Sequence, residues 1–148
     1  VVCIIGDVGM QLNIQELQTI KSYKIPLRVF VINNKCLGNT LSYQRVNNRP
    51  EIACGPDGYS SPDFVAVADA YGIPAMRIAD WEDMYIVDLA LSADHPCVID
   101  VVDPYRCQYE PRISRFDLPI DDMFPLLPRE EYRQNTIAEP TEGWESRN

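Results

Sequence analysis

Val1-Val2-Cys3-Ile4-Ile5-Gly6-Asp7-Val8-Gly9 opens the chain, and Leu27-Arg28-Val29-Phe30-Val31-Ile32-Asn33-Asn34 follows the same plan further on: an apolar, β-branched run that stops at polar, turn-forming residues. Runs of this kind read as buried parallel strands, Val1 to Ile5 and Leu27 to Ile32. If the two strands are neighbours, Asp7 and Asn34, 27 positions apart, meet at one carboxyl edge, where open α/β sheets bind ligands. A carboxylate and an amide carbonyl there suit a hard cation such as Mg²⁺ or Ca²⁺. Taken singly, Asp7 reads as a helix N-cap and Asn33-Asn34 as a turn.

Working outward, Cys97 to Val102 is a third strand and Pro74 to Ile78 a weaker fourth. Helical patterns lie between them. The first is expected from about Gln11 to Tyr23 with Leu12, Leu17 and Ile20 on one side, and a second from Gly38 to about Val46. Ser61-Pro62-Asp63 reads as a helix start capped by Ser61, running to about Tyr71 and stopping at Gly72. Asp80 opens another, in which Trp81, Met84, Val87 and Leu91 recur at core spacing. Strands alternating with helices predict an α/β fold, a doubly wound parallel sheet with flanking helices. That unit is expected over 1–103. From 104 to 148 prolines are scattered, which predicts an extended Pro-rich tail whose last ten residues are disordered and whose apolar stretch Met123 to Leu127 docks on a neighbouring surface. Asp121-Asp122 reads as a solvated pair.

At 148 residues there is room for one real core, and 46% hydrophobic with 24% charged residues is ordinary for a globular protein. A net charge of −9 argues against nucleic acid as a partner and gives no attraction to an anionic membrane surface. The first residues lack the basic flank and length of a signal peptide, and no apolar run reaches the length of a membrane span, so a cytoplasmic chain is expected. Five cysteines, an odd number without Cys-x-x-Cys spacing, read as reduced thiols. His95, the single histidine, is expected at the surface.

Gly6-Asp7-Val8-Gly9-Met10-Gln11-Leu12-Asn13-Ile14-Gln15-Glu16-Leu17 and Val29-Phe30-Val31-Ile32-Asn33-Asn34 resemble the diphosphate-binding domain of thiamine diphosphate enzymes, in the acetolactate synthase branch. The likeness continues through Ser42-Tyr43-Gln44, Ser61-Pro62-Asp63-Phe64, Ala68-Asp69-Ala70-Tyr71-Gly72-Ile73 and Pro96-Cys97-Val98-Ile99-Asp100-Val101-Val102-Asp103-Pro104. The resemblance implies the thiamine diphosphate-binding fold, with thiamine diphosphate and Mg²⁺ as cofactors, and a 2-keto acid such as pyruvate as substrate. It also implies that a chain beginning inside a strand, without methionine, is the carboxyl-terminal part of a longer polypeptide, a homodimer or homotetramer, whose N-terminal domains supply the activating glutamate. The fragment alone is therefore expected to be inactive.

By the same resemblance, Asp7, the Asn34 side chain and the Cys36 main-chain carbonyl are metal ligands, and Gly6, Val8, Gly9, Leu37 and Gly38 join them around the cofactor. Asn39 and Tyr43 fall where relatives line the substrate pocket with methionine and tryptophan. Val8 departs from the family glycine: its Cβ is expected to crowd the diphosphate and to penalise a positive φ, with Gly9 compensating. The alternative to an enzyme is a non-catalytic remnant or assembly module of the same fold that no longer binds the cofactor. A flavodoxin-like nucleotide binder is disfavoured, since no Gly-x-Gly-x-x-Gly follows the first strand.

Overall fold

The computed structural model describes residues 1–104, 107 and 122–137. They fall into two compact units, Val1–Gln108 and Tyr109–Asn148. In the first, four parallel strands, β1 (Val2–Gly6), β2 (Arg28–Asn33), β3 (Ala75–Ile78) and β4 (Cys97–Val102), are ordered β1-β2-β4-β3. The alternation of side chains divides them between two layers. Val29, Val31 and Val98, with Cys3, Ile5 and Ala75 beside them, pack against Met10 of α1 (Asp7–Leu12), Leu17 and Ile20 of α2 (Glu16–Ser22), and Phe64 and Ala68 of α4 (Phe64–Ala70). On the other face Ile78, Cys97 and Ile99 meet Ile86 and Ala90 of α5 (Tyr85–Ser92). Helices on both faces make this the doubly wound α/β sheet expected. Full burial of a side chain such as Leu17 or Phe64 stabilises the fold by about 1.5–3 kcal/mol.

Several sequence expectations shift by a turn or a face. The helix expected over Gln11–Tyr23 is two helices that begin earlier, joined by i→i+3 turn bonds such as Glu16 N–H to Asn13 O at 3.0 Å. Leu12, the last residue of α1, is exposed, whereas Met10 two residues earlier on α1 takes the core position. The first strand is not buried throughout. It is an edge strand, and among the described residues no helix packs on its second face, where Val2 and Ile4 are exposed, Ile4 by 73%. Trp81 and Met84 are likewise outside the core. Trp81–Met84 is a short 3-10 turn capped by Asp80, and α5 follows it with a phase that buries Ile86 and Ala90 while Leu91 stays exposed.

Helix α3 (Gly38–Val46) matches its expected span. Helix α4 is capped by Asp63, not Ser61: the Asp63 carboxylate accepts from the N–H groups of Val65 and Ala66 at 3.0 and 3.1 Å. Its end is as expected. Gly72 takes φ +67, the Ile73 N–H reaches back to Ala68 O and the Gly72 N–H to Asp69 O, a Schellman closure that a Cβ would strain.

The second unit contains α6 (Arg129–Asn135), a helix inside the stretch read as extended. Asp122 is buried and not solvated as expected: its carboxylate accepts from the Phe124 N–H and from the Arg129 guanidinium, which also stacks over the Phe124 ring. Asp121 and the terminal stretch 138–148 lie outside the described residues. Met123 and Leu126 are each more than a third exposed. Among the described residues no helix is long and apolar enough to cross a membrane.

Replacing Asp63 with alanine removes the α4 cap and is expected to cost about 1–2 kcal/mol in thermal or urea unfolding. Asp63→Asn keeps a capping oxygen and gives up only charge in a half-exposed pair with Arg77, for less than about 0.5 kcal/mol. Equal losses in the two variants would contradict this assignment of the cap.

Candidate functional site

Strand pairing determines what meets at the carboxyl edge. Gly6 stands opposite Ile32, so the chain leaves β1 at Asp7 beside the place where it leaves β2 at Asn33 and Asn34. The two motifs are thus neighbours at one end of the sheet. Lys35 then takes φ 55, a left-handed conformation that costs a non-glycine residue about 1–2 kcal/mol, and turns the chain so that its N–H faces the Asp7 carboxylate.

Asp7 is 2% exposed. Its Oδ1 accepts from the Val8 N–H at 2.9 Å, while Oδ2 is buried with no hydrogen bond. The Tyr59 hydroxyl also faces this carboxylate, near enough to influence its ionisation but without closing a hydrogen bond on Oδ2. Burial raises the Asp7 pKa above the ordinary carboxylate value, and the Val8 N–H, the Tyr59 hydroxyl and the Lys35 N–H pull against that rise. A carboxylate left in this state is an invitation to a cation.

The adjacent asparagines divide their work. Asn33 is structural: its Nδ2 donates to the buried Asp100 of β4 at 2.9 Å and its Oδ1 accepts from Ser61 Oγ at 2.8 Å. Asp100 in turn accepts from Arg77 Nε, and Arg77 Nη2 donates to Asp63 at 2.6 Å. This chain of polar groups lines a cleft of about 300 Å³ that also includes Lys35. Asn34 points elsewhere, its Oδ1 accepting from the Cys36 N–H at 3.3 Å, and its amide packs against Gly38. A Cβ on Gly38 would come within 2.8 Å of Asn34 Nδ2.

Cys36 is buried with Cys54, Cys107 and Leu41. Burial first, then proximity to Cys107 and Asp7, pushes its thiol up to about 11. It remains a neutral thiol at physiological pH, so what Cys36 offers a hard cation is its carbonyl. All five cysteines are free, as expected. Leu37 precedes α3 and ties this loop to the next through its N–H to Cys54 O at 2.8 Å. Asn39 and Tyr43, one turn apart on α3, are both exposed, with Arg49 over the Tyr43 ring.

At Val8 the expected strain on the backbone is absent. Val8 lies inside α1 with a negative φ, so the conformational penalty on replacing the glycine does not arise. Gly9 faces Ile5, where a Cβ would sit 3.1 Å from Cγ1, and so its smallness serves packing of helix on strand. Gly6 is open, with nothing within 4 Å of a Cβ there. His95 is exposed, as expected. Sequence reasoning missed Tyr59, which arrives from a loop 52 positions after Asp7 and carries no local signal. It also missed the network from Ser61 to Asp63. Among the described residues no group of three or more His, Cys, Asp or Glu side chains could hold a metal. A cation here would rely on one carboxylate plus neutral oxygens and an anionic ligand.

Residues 1–101 match the family model described as thiamine pyrophosphate enzyme, C-terminal TPP binding domain. The chain belongs to this family. It is 32% identical over 103 residues to the acetolactate synthase large subunit of Cyanidium caldarium, covering 69% of this chain and 18% of that protein. Over 120 residues it is 32% identical to acetolactate synthase 2, chloroplastic, of Zea mays, covering 76% and 19%, and over 105 residues 39% identical to the Arthrospira platensis acetolactate synthase, covering 68% and 18%. The chain thus spans about a fifth of the length of these relatives. Among solved structures, the Rhodococcus jostii RHA1 thiamine diphosphate-dependent 4-hydroxybenzoylformate decarboxylase superposes with a TM-score of 0.61 at 30% identity, over 72% of this chain and 20% of that one.

Because a buried carboxylate with a raised pKa burdens the fold while ionised, stability without added metal should rise as pH falls through that pKa. Asp7→Asn removes the burden and is expected to raise the metal-free melting temperature at neutral pH by ~1 kcal/mol equivalent, a few degrees, with the gain shrinking in acid. A fall in melting temperature at neutral pH would count against an unpaired charge. Gly38→Ala, which displaces the Asn34 amide, is expected to weaken Mn²⁺ binding at least tenfold in an EPR titration with thiamine diphosphate present; wild-type affinity would show that the amide position does not matter.

Proposed function

We propose that this chain forms the cofactor-anchoring part of a thiamine diphosphate-dependent carboligase or decarboxylase that acts on a 2-keto acid such as pyruvate. The observation that carries the reading is the orphaned, buried Asp7 Oδ2 beside the Asn34 loop. The residues fit the implied group. Asp7 Oδ2, the Asn34 side-chain carbonyl and the Cys36 main-chain carbonyl would hold Mg²⁺, a hard cation that takes oxygen ligands. Mg²⁺ at such a site needs the ligand's own charge, since Asp7 contributes a single negative one. Gly6, Val8, Gly9, Leu37 and Gly38 border the diphosphate, with Gly6 offering an open approach.

Bound thiamine diphosphate supplies the electron sink that lets a 2-keto acid lose CO₂ and pass its remaining carbons to an acceptor. This chain's residues have a quieter task. Asp7 and Asn34 hold the charged end at a fixed depth, Cys36 stays a neutral thiol and does not compete for the cation, and Asn39 with Tyr43 face the acceptor from α3. The relatives' names, a synthase of acetolactate and a decarboxylase of a benzoylformate, support 2-keto acid chemistry. Residues 1–103 act as the anchoring domain and 104–148 as the tail of a longer, oligomeric polypeptide that brings the remaining catalytic groups. The negative φ at Val8 takes away one of the reasons for reading the chain as a remnant that cannot bind.

Calorimetric titration of the whole polypeptide carrying this chain with thiamine diphosphate and Mg²⁺ is expected to show binding that needs both components and is lost in Asp7→Ala. Absence of binding in the wild type would favour the non-catalytic reading. The 148-residue chain alone is expected to leave pyruvate untouched in a CO₂-release assay, and measurable turnover would overturn the need for further domains.

A further inference from the structure

We infer that the cleft at the carboxyl ends of β2, β4 and β3 is a second ligand site for a small zwitterion of the amino-acid class, its ammonium toward Asp63 and its carboxylate toward Lys35 and Arg77. The inference goes beyond the cofactor-anchoring reading and does not depend on it. The cleft lies where α/β sheets bind ligands, outside the carboxyl ends of strands whose connections part. From β2 the chain leaves to α4 on one face of the sheet, and from β3 it leaves to α5 on the other. The cleft volume, about 300 Å³, stands at the lower end of ligand pockets, which run to about 1,000 Å³, and suits a molecule of few atoms.

Two cations and two carboxylates line this cleft. Asp100 is fully buried and has both oxygens occupied, Oδ1 by Asn33 and Oδ2 by Arg77 Nε. Arg77 is braced, with Nε on Asp100 and Nη2 on Asp63. Asp63 Oδ1 takes three donors, the Val65 and Ala66 N–H groups and Arg77 Nη2. Among the described residues, Asp63 Oδ2, Arg77 Nη1 and the Lys35 ammonium make no hydrogen bond, and Lys35 forms no ion pair. Opposite charges thus share one cleft without closing on each other. A lone anion meets Asp63 and a lone cation meets Lys35, whereas a ligand with both charges matches both. Pro62, Ala79 and Val102 add apolar lining for a short aliphatic group.

The walls are preorganised, which lowers the cost of binding. Ser61 Oγ is turned to Asn33. The loop that brings Ser61 to Asp63 is closed at its start, where the Gly58 and Tyr59 N–H groups both return to Gly55 O at 3.0 and 2.9 Å. The backbone crosses itself there so closely that a Cβ on Gly58 would lie 2.3 Å from the Ala53 Cα. Lys35, at φ 55, keeps a charged side chain where glycine would fit without cost, and such strain concentrates at ligand sites.

The test is calorimetric titration of the whole polypeptide carrying this chain, with L-alanine as the probe and propionate and ethylamine as its two halves. L-alanine is expected to bind saturably and each half at least tenfold more weakly. Asp63→Asn keeps the α4 cap, and Lys35→Asn suits the left-handed backbone; each is expected to weaken L-alanine about tenfold or more. Asp63→Asn should at the same time tighten propionate, since the charge that repels a lone anion is gone, an effect that damage to the fold would not produce. Asp7→Ala should leave L-alanine affinity unchanged, so loss of cofactor binding does not touch this inference. Absence of saturable L-alanine binding, propionate as tight as L-alanine, wild-type affinity in Asp63→Asn, or loss of L-alanine in Asp7→Ala overturns it.

Discussion

The parallel pairing of β1 with β2, with Gly6 opposite Ile32, is the constraint on which the rest depends. Parallel strands leave a sheet at the same edge, and this register makes Asp7 and Asn34 exit side by side. A slip by one residue would turn Ile5 and Val31 away from the α1, α2 and α4 layer, so the hydrophobic core itself enforces the alignment of the polar loops. The sheet's stability and the site's geometry have one cause.

That geometry holds two local costs in place. Asp7 is ionisable, buried and short of a hydrogen bond, and Lys35 sits in a backbone conformation that disfavours a side chain. Unfavourable local choices persist where the surrounding structure over-determines them, and they concentrate where ligands bind. Here the over-determination is visible. Asn33 locks the end of β2 to Asp100 and Ser61, and Cys36 anchors the far side of the turn in a cluster of thiols. Arg77 joins the same brace to the cap of α4, so the strand end and the helix start are held by one guanidinium.

Much of this was legible in the residues. Apolar runs gave three strands within a residue of their ends, α3 and the Gly72 stop fell where expected, and the spacing of Asp7 and Asn34 marked the edge at which their loops now meet. What was not legible depends on phase and on distance along the chain. Leu12 and Met10 are equally apolar, and only the break after α1 decides that Met10 goes inward. Ser61 and Asp63 are equally good caps by residue type, but the Ser61 side chain is turned to Asn33 and Asp63 takes the Val65 and Ala66 N–H groups. Trp81 had core spacing, but its segment tightens into a 3-10 turn and loses that phase. The strand order places β1 at an edge, which no property of Val2 or Ile4 reveals. Tyr59 and Gln11 are ordinary residues in ordinary contexts until folding joins them in a hydrogen bond of 2.7 Å.

The crossing at Gly58 and Ala53 has a consequence for how this protein tolerates change. Position 58 is exposed, sits outside every helix and strand, and has no ligand-facing atom to lose, so a survey by surface accessibility would score it as free to vary. Because its backbone fits against position 53 with no room for a methyl group, any alanine there must pry the loop open. In a saturation library, variants at this solvent-facing spot would be depleted through a backbone contact five positions away, a dependency that neither hydrophobicity nor depth would flag.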